Sequence, residues 1–302
     1  MEGIVIKTTG SWNTVRLPDG CRLDCTLKGQ FRLQGIKHTN PVAIGDRVVV
    51  ERRPGEATGL ITQILKRNNY IIRKAKKLSK VSHILAANLD HAFLVVTLAS
   101  PRTSNGFIDR FLVTAAGYYI SASLIFNKTD LHDRKLDQLL EKLQSIYEKA
   151  GYPCYRTSAL RGEGIDPIRE LLKDKVSLFS GHSGAGKSAL IKAIDPSLDP
   201  RVGKISGFHQ KGMHTTTFAE MYELSGGGFI VDTPGIKEFG LIDFGQEEIP
   251  RCFPEMERLL PACQYSNCTH THEPGCSVKA ALGTGEVSQL RYNSYLSILN
   301  DR

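Results

Sequence analysis

The chain has 302 residues, 41% of them hydrophobic and 23% charged, with a formal net charge of +8, a length that suits two or three cores of ordinary size. No run of about 18 apolar residues occurs and the apolar stretch 91–100 is far too short to cross a bilayer, while residues 1–12 lack both a basic start leading into an apolar segment and a small-residue cleavage site; the expectation is a cytoplasmic protein, mature from Met1. Seven cysteines without a secretory signal argue against a disulfide scaffold and for metal ligands or buried small hydrophobes.

Residues 1–72 alternate short β-rich stretches, at 3–8, 12–17, 22–27, 47–52 and 60–65, with turn signals at Pro18-Asp19-Gly20, Ile44-Gly45-Asp46 and Pro54-Gly55. Five short strands in so few residues predict a small barrel, either of the oligonucleotide-binding (OB) kind or SH3-like, which periodicity alone does not separate. Residues 1–80 hold 16 Lys/Arg against 6 Asp/Glu, whereas 81–302 hold 23 against 25. A compact region with that surplus attracts polyanions, because neutralising phosphates releases condensed counterions. Nucleic acid is the leading partner, and a solvated basic face kept for solubility is the alternative. Residues 73–82 read as a basic linker. Cys21, Cys25, Cys154 and Cys252 have no ligand partners close in sequence and are expected to pack.

From 83 to 240 the pattern becomes β-α-β. Apolar runs at 92–98, 123–126, 176–179 and 228–231 predict parallel strands covered on both faces, which need no alternation; helices are predicted at 105–116, 136–150 and 187–194. Asn127-Lys128-Thr129-Asp130 follows the second of these strands. A carboxylate there accepts from guanine N1–H and the exocyclic amine, whereas adenine presents an acceptor at N1, so Asp130 favours GTP over ATP. Asn127 would contact the base edge and tie neighbouring loops, Lys128 would lie across the ring, and Thr157-Ser158-Ala159 fits a second guanine-side loop. By itself N-K-x-D is a common polar turn; its spacing to T-S-A and to the next motif gives it weight.

Gly181-His182-Ser183-Gly184-Ala185-Gly186-Lys187-Ser188 fits G-x-x-x-x-G-K-[ST] between a predicted strand and a predicted helix. The glycines let backbone N–H groups wrap phosphate oxygens and the helix N-terminus adds partial positive charge; Lys187 would reach the β and γ phosphates and the Ser188 hydroxyl would bind Mg²⁺. After the strand 228–231, Asp232-Thr233-Pro234-Gly235 supplies the expected metal-side acid, Asp232, and a glycine amide, Gly235, that can approach the γ-phosphate with no Cβ in the way.

Beyond residue 240 no further buried strand is expected, and 241–302 read as a metal-binding, mainly helical domain with a helical tail at 286–299. Cys263-x4-Cys268-x-His270-x5-Cys276 offers three thiolates and an imidazole, with His272 as a competing imidazole. That is enough for a closed, structural Zn²⁺ site whose binding energy is folding energy; packed free thiols are the alternative.

In the usual GTPase order the base-reading motifs come after the phosphate motifs. Here they come first, a permutation the pocket tolerates because it depends on where loops meet in space. The series N-K-T-D, T-S-A, G-H-S-G-A-G-K-S, H-T-T-T and D-T-P-G, with a basic barrel before it and a Cys/His cluster after it, resembles the ribosome small-subunit-dependent GTPases of the RsgA (YjeQ) family over nearly the whole chain. The resemblance implies an α/β, circularly permuted P-loop GTPase domain between an OB-type barrel and a zinc-binding domain. It further implies a late assembly factor for the 30S subunit that meets 16S rRNA, hydrolyses GTP under stimulation by the subunit and is then released. It favours His270 over His272 as the zinc ligand. It points to His214 of His214-Thr215-Thr216-Thr217 as the group that positions or polarises the attacking water, since Ile236 stands where many GTPases carry a glutamine, and to Thr216 as the threonine for Mg²⁺ and the γ-phosphate, beside Lys187 in the catalytic set. Gly207 and Gly212 flank that stretch, and slow intrinsic turnover, accelerated by a partner that orders it, is expected. A monomer is expected. The competing readings are a nucleotide-gated RNA-binding scaffold with little hydrolysis and a P-loop ATPase or small-molecule kinase, the last disfavoured by Asp130.

Overall fold

The computed structural model describes residues 1–9, 11–29, 41–52, 55–73, 83–200, 220–232 and 244–300. Alternating buried and exposed side chains run along β1 (Glu2–Thr9), β2 (Trp12–Arg16), β3 (Arg22–Leu27), β4 (Arg47–Arg52) and β5 (Gly59–Ile64), which close into a barrel in the order β1-β2-β3-β5-β4. β3 and β5 run parallel, and the other neighbours are antiparallel. That order decides for the OB barrel over the SH3-like one. The period of two turns Val5, Val15, Leu23, Cys25, Val48, Val50 and Ile61 into one core. Gly59 is a glycine because a Cβ there would lie within 2.9 Å of side-chain atoms of Leu23, Val50 and Cys25.

A two-stranded antiparallel ribbon follows, β6 (Tyr70–Arg73) with β7 (His83–Ala87). Through it the barrel shares a core with the rest of the chain: Ile6 and Ile44 cluster with Ile71, Ile72 and Ala86, and onward with Leu94, Phe126 and Val231.

The central sheet comprises β8 (His91–Val96), β9 (Ser121–Phe126), β10 (Cys154–Arg156), β11 (Val176–Ser180), β12 (Glu220–Glu223) and β13 (Phe229–Asp232), in the order β10-β9-β8-β11-β13-β12. Every pair is parallel except β12 with β13. Both faces are covered, which is why β8 needs no polar alternation. Ala92, Leu94 and Val96 meet α1 (Asn105–Gly117) and α2 (Arg134–Ala150), while Phe93 and Val95 meet α3 (Ile165–Leu172) and α4 (Lys187–Ile194). Side-chain caps start the two long helices: Ser104 accepts from the Phe107 amide and Asp133 from the Leu136 amide.

Residues 244–300 contain no strand. Their helices α5 (Pro254–Leu259), α6 (Ser277–Thr284) and α7 (Gln289–Asn300) enclose a separate core that borrows Val113 from α1. Arg291 of α7, fully buried, fastens this module to α1. Its guanidinium donates to Asp109 at 2.6 Å and to Glu255 at 2.7 and 3.1 Å, inside a ring of Phe253, Tyr152 and Tyr147 whose centroids lie 4.7, 5.3 and 5.6 Å away. Removing one partner of such a cluster strands buried charge, at about 3–5 kcal/mol. Arg291→Ala is therefore expected to lower the urea midpoint by that much stability at an unchanged slope.

Candidate nucleotide site and metal centre

The loop 181–186 leaves the C-terminal end of β11 and enters α4. Gly181, Gly184 and Gly186 take φ of 145°, 82° and 91°, and a Cβ on Gly181 or Gly186 would lie 2.5 Å from the Val95 carbonyl oxygen or from Asn127 Nδ2, so both the backbone conformation and the space demand glycine. Ser183 and Gly184 form the exposed tip, and Ala185 is buried beneath it. Lys187 opens α4 with its side chain folded into the loop, Nζ donating to the carbonyls of Gly181 at 2.7 Å and His182 at 3.4 Å. Burial lowers its pKa and the Asp232 carboxylate works against that shift. Ser188 follows it on the first turn of α4. Asp232 ends β13 in register with Phe179 of β11, which brings the acid to the foot of the phosphate loop. Anionic phosphate and a divalent cation suit this combination of open amides, a lysine, a hydroxyl and an acid.

The base-side loops come from β9 and β10 and converge on the same edge of the sheet. Asn127 is buried and ties them together: its Nδ2 donates to the Ala185 carbonyl at 3.0 Å, and its Oδ1 accepts from Thr157 Oγ1 at 3.0 Å and the Ala159 amide at 3.3 Å. Three segments that are distant in the chain thus share one cleft. Lys128, in a left-handed conformation (φ 65°), sends Nζ to the Ser100 carbonyl at 2.6 Å. Asp130 accepts from Ser158 Oγ at 2.5 Å, and that hydroxyl holds its carboxyl below the usual carboxylate range. An ionised acid facing the cleft can accept two donors from a base edge. His214, Thr215, Thr216, Thr217 and Gly235 lie outside the described residues, so their placement adds nothing to the geometry.

Some neighbours of the site had no sequence signal. Phe107, on the first turn of α1, stacks on the His182 ring with centroids 4.0 Å apart and planes 28° from parallel. Leu160, just past Ala159, is 84% exposed, an unusual position for a leucine, beside the loop that would hold the base. A leucine after T-S-A was the only clue to the second; nothing local marked the first.

In the C-terminal module Cys263, Cys268, His270 and Cys276 place their ligand atoms within 4.8 Å of one another. His270 Nδ1 lies 3.7 Å from Cys263 Sγ and 3.4 Å from Cys276 Sγ. A tetrahedral ion with bonds of about 2.3 Å to sulfur and about 2.0 Å to nitrogen sets such pairs roughly 3.5 Å apart, so the residues fit a metal. His272 is exposed, with Nδ1 3.0 Å from the Thr271 hydroxyl. The knuckle is held by Glu273, which accepts from the Thr269, Thr271 and His272 amides; burial opposes its charge, and the bonds from Thr269 and Thr271 nevertheless keep its carboxyl down at about 2. Cys25 and Cys252 are buried, Cys154 is half-buried and Cys21 is exposed, so packing describes the first three and not the fourth.

Chain order and spatial order disagree in one respect: the strands that carry the base-side loops precede β11, although their loops close on the same cleft as the phosphate loop. A P-loop GTPase sheet that has been circularly permuted has this arrangement. Comparison with known proteins agrees. The RsgA GTPase family profile matches residues 64–242 and the RsgA N-terminal domain profile residues 2–61. A Bacteroides fragilis protein named small ribosomal subunit biogenesis GTPase RsgA is 52% identical over 302 residues, which span 100% of this chain and 97% of that one. Its namesake from Flavobacterium psychrophilum is 49% identical, over 99% and 92%. The crystal structure of YjeQ from Thermotoga maritima superposes with a TM-score of 0.80 at 35% identity, over 100% of this chain and 99% of that chain. YloQ, described as a circularly permuted GTPase, does so at 0.76 and 27%, over 99% and 94%. The chain belongs to the RsgA GTPase family and is a GTP hydrolase.

Proposed function

We propose that this GTPase acts on the small (30S) ribosomal subunit as a late assembly factor, contacts 16S rRNA through its barrel, and leaves once GTP is hydrolysed. Its relatives' name supports the partner, and the ten-charge surplus of residues 1–80 supports the docking. The observation that carries the nucleotide reading is the set of bonds from Asn127 that joins the base-side and phosphate-side loops. In this reading Asp130 selects guanine with Ser158 fixing its carboxylate, and Lys128 covers the ring from its anchor on Ser100. Loop 181–186 and Lys187 hold the triphosphate. Ser188, Asp232 and Thr216 would hold Mg²⁺, which would supply neutralisation of the phosphate charge. Gly235 meets the γ-phosphate and His214 positions water. The Cys263, Cys268, His270 and Cys276 group takes Zn²⁺ as a staple, since a complete thiolate and imidazole set leaves no position for a substrate. The protein works as a monomer in the cytoplasm.

The barrel carries a feature suited to unpaired RNA. Trp12, 46% exposed, lines a hollow with Lys7, Thr9, Thr14, Asp24 and Thr58, and a base stacked on such a ring contributes about 1–3 kcal/mol. Trp12 is the chain's single tryptophan, so its emission reports docking at that face. The test measures GTP turnover with and without small ribosomal subunits at several salt concentrations, with Trp12 emission followed alongside. Stimulation on the order of tenfold or more is expected, with docking weakening as salt rises and emission quenched in the complex. A turnover indifferent to added subunits would refute the proposal.

A further inference from the structure

One carbonyl organises the phosphate loop. The His182 oxygen accepts from the Ala185 amide at 3.1 Å, which closes the turn 182–185, and from Lys187 Nζ at 3.4 Å. Where His182 sits therefore decides both the course of the exposed tip and the resting place of the lysine. Gly181, Gly184 and Gly186 all take positive φ, and glycine has more backbone freedom to lose than any other residue, so the loop's own sequence does little to hold that turn. Support comes from elsewhere in the chain. The His182 ring lies on Phe107, with centroids 4.0 Å apart and planes 28° from parallel, and a Cβ on Gly184 would meet Pro101 at 3.5 Å. Both neighbours belong to the segment that runs from β8 into the first turn of α1.

That segment is itself fixed. The Thr103 amide donates to the Thr97 carbonyl at 2.8 Å and the Thr97 amide to Thr103 Oγ1 at 3.2 Å. Thr97 Oγ1 donates to the Pro101 carbonyl, and Ser104 caps α1. Ile108 and Phe111, which follow Phe107, are buried against the central sheet, so the Phe107 ring is carried on a helix that cannot shift without disturbing that core. The same segment receives Lys128 Nζ on the Ser100 carbonyl, and thus meets the base-side loop and the phosphate loop together. Phe107 is half-buried, and it lines a hollow of about 530 Å³ with Arg110, Leu290 and Asn293.

We propose that Phe107 is a positioning residue for the triphosphate: by stacking on His182 it holds the turn 182–185 and Lys187 in the shape that receives phosphate. This rests on the reading above, in which loop 181–186 and Lys187 hold the triphosphate, and it assigns the group that keeps them ready. Phe107 acts through His182. An aromatic pair is worth a factor of about 2–10 in an equilibrium, and apparent affinity falls with the fraction of the protein in the competent shape, so that factor is the most its loss removes from GTP affinity.

The test measures GTP affinity, by displacement of a fluorescent guanine nucleotide, for the full chain as wild type, Phe107→Leu, Phe107→Ala, Phe107→Tyr, His182→Ala, the double variant Phe107→Ala with His182→Ala, and Lys187→Ala. Leucine keeps an apolar side chain and removes the ring, whereas tyrosine keeps the ring and adds one hydroxyl beside the hollow. Phe107→Leu, Phe107→Ala and His182→Ala are expected to weaken GTP binding about threefold to tenfold, and Phe107→Tyr to stay within about twofold of wild type. The double variant is expected to bind no more weakly than the weaker single variant, because either change already breaks the stack. Preference for GTP over ITP, which lacks the exocyclic amine, is expected to stay as it is in wild type, since Asp130 and Ser158 are untouched. The proposal is overturned if Phe107→Leu or His182→Ala binds GTP as wild type does, if tyrosine fails to rescue, if the two single losses multiply in the double variant, or if the preference over ITP falls along with affinity, as damage to the whole cleft would make it. Lys187→Ala binding GTP as tightly as wild type would overturn the phosphate-loop reading and this one with it; Lys187→Ala weakened while Phe107→Leu matches wild type overturns this one alone.

Discussion

Cys276→Ser is expected to remove the metal from the chain and to unfold the module of residues 244–300 while the nucleotide cleft persists. The module has too little core to stand by itself. Its buried cluster counts Cys268 and Cys276 among its own members, and α6 starts at the residue after Cys276. The ligand knuckle is also the anchor for α7: the Tyr292 hydroxyl donates to the His270 carbonyl at 2.7 Å and the Tyr295 hydroxyl to that of Thr269. Losing one thiolate therefore loosens two helices. Structural zinc supplies apparent binding free energies of about 10–16 kcal/mol in small domains, far more than a module of this size holds in reserve. Metal analysis should fall from one zinc per chain to near none, with an early thermal transition appearing. Guanine-nucleotide affinity should fall only slightly, because Asn127, Asp130 and the loop 181–186 belong to the central sheet, whereas the module packs, among the described residues, on α1 and on the C-terminal end of α2. A wild-type chain purified free of zinc and melting normally would show that the thiols merely pack.

Asp130→Asn is expected to exchange guanine for xanthine nucleotides. In the proposed reading the carboxylate accepts two donors from guanine, and hydrogen bonds to a charged partner are worth about 1.5–3 kcal/mol each, so losing both would cost on the order of 10²–10⁴-fold in GTP affinity. Asparagine turns an N–H₂ toward the same edge, where xanthine offers a carbonyl in place of guanine's amine. Ser158 can still donate, now to the amide oxygen, so the loop geometry survives. Competition between labelled GTP and XTP reads the switch directly. Retained preference for GTP would mean that another group reads the base.

Much of this was legible in the residues. The G-x-x-x-x-G-K-S loop depends on backbone conformation within eight positions, and the strand and helix around it were marked by an apolar run and by the loop's own glycines. The long helices announced themselves through their apolar period, and the barrel strands by short β-rich stretches between turn residues, to within two residues at every end. Shorter elements did not. β12 is four residues at a sheet edge and α3 is eight residues with a proline in its first turn, too few positions for any period to stand out. β6 lay against a basic stretch that read as a linker.

Sequence by itself pointed to the classes of chemistry: guanine through an acid after a strand, phosphate through a glycine loop, metal through dense thiolates, and polyanions through a basic first quarter. Tertiary structure alone decided which distant groups meet. That Asn127 binds Ala185 across 58 residues, that Arg291 answers Asp109 across 182, and that Arg16 of the barrel holds Glu223 could not be read locally, because a charged or polar side chain carries no mark of its partner until the chain has buried the space between them. Local geometry is set by torsions and spacing within a few residues; pairing at long range is set by which apolar faces close on each other, and that is a property of the whole fold.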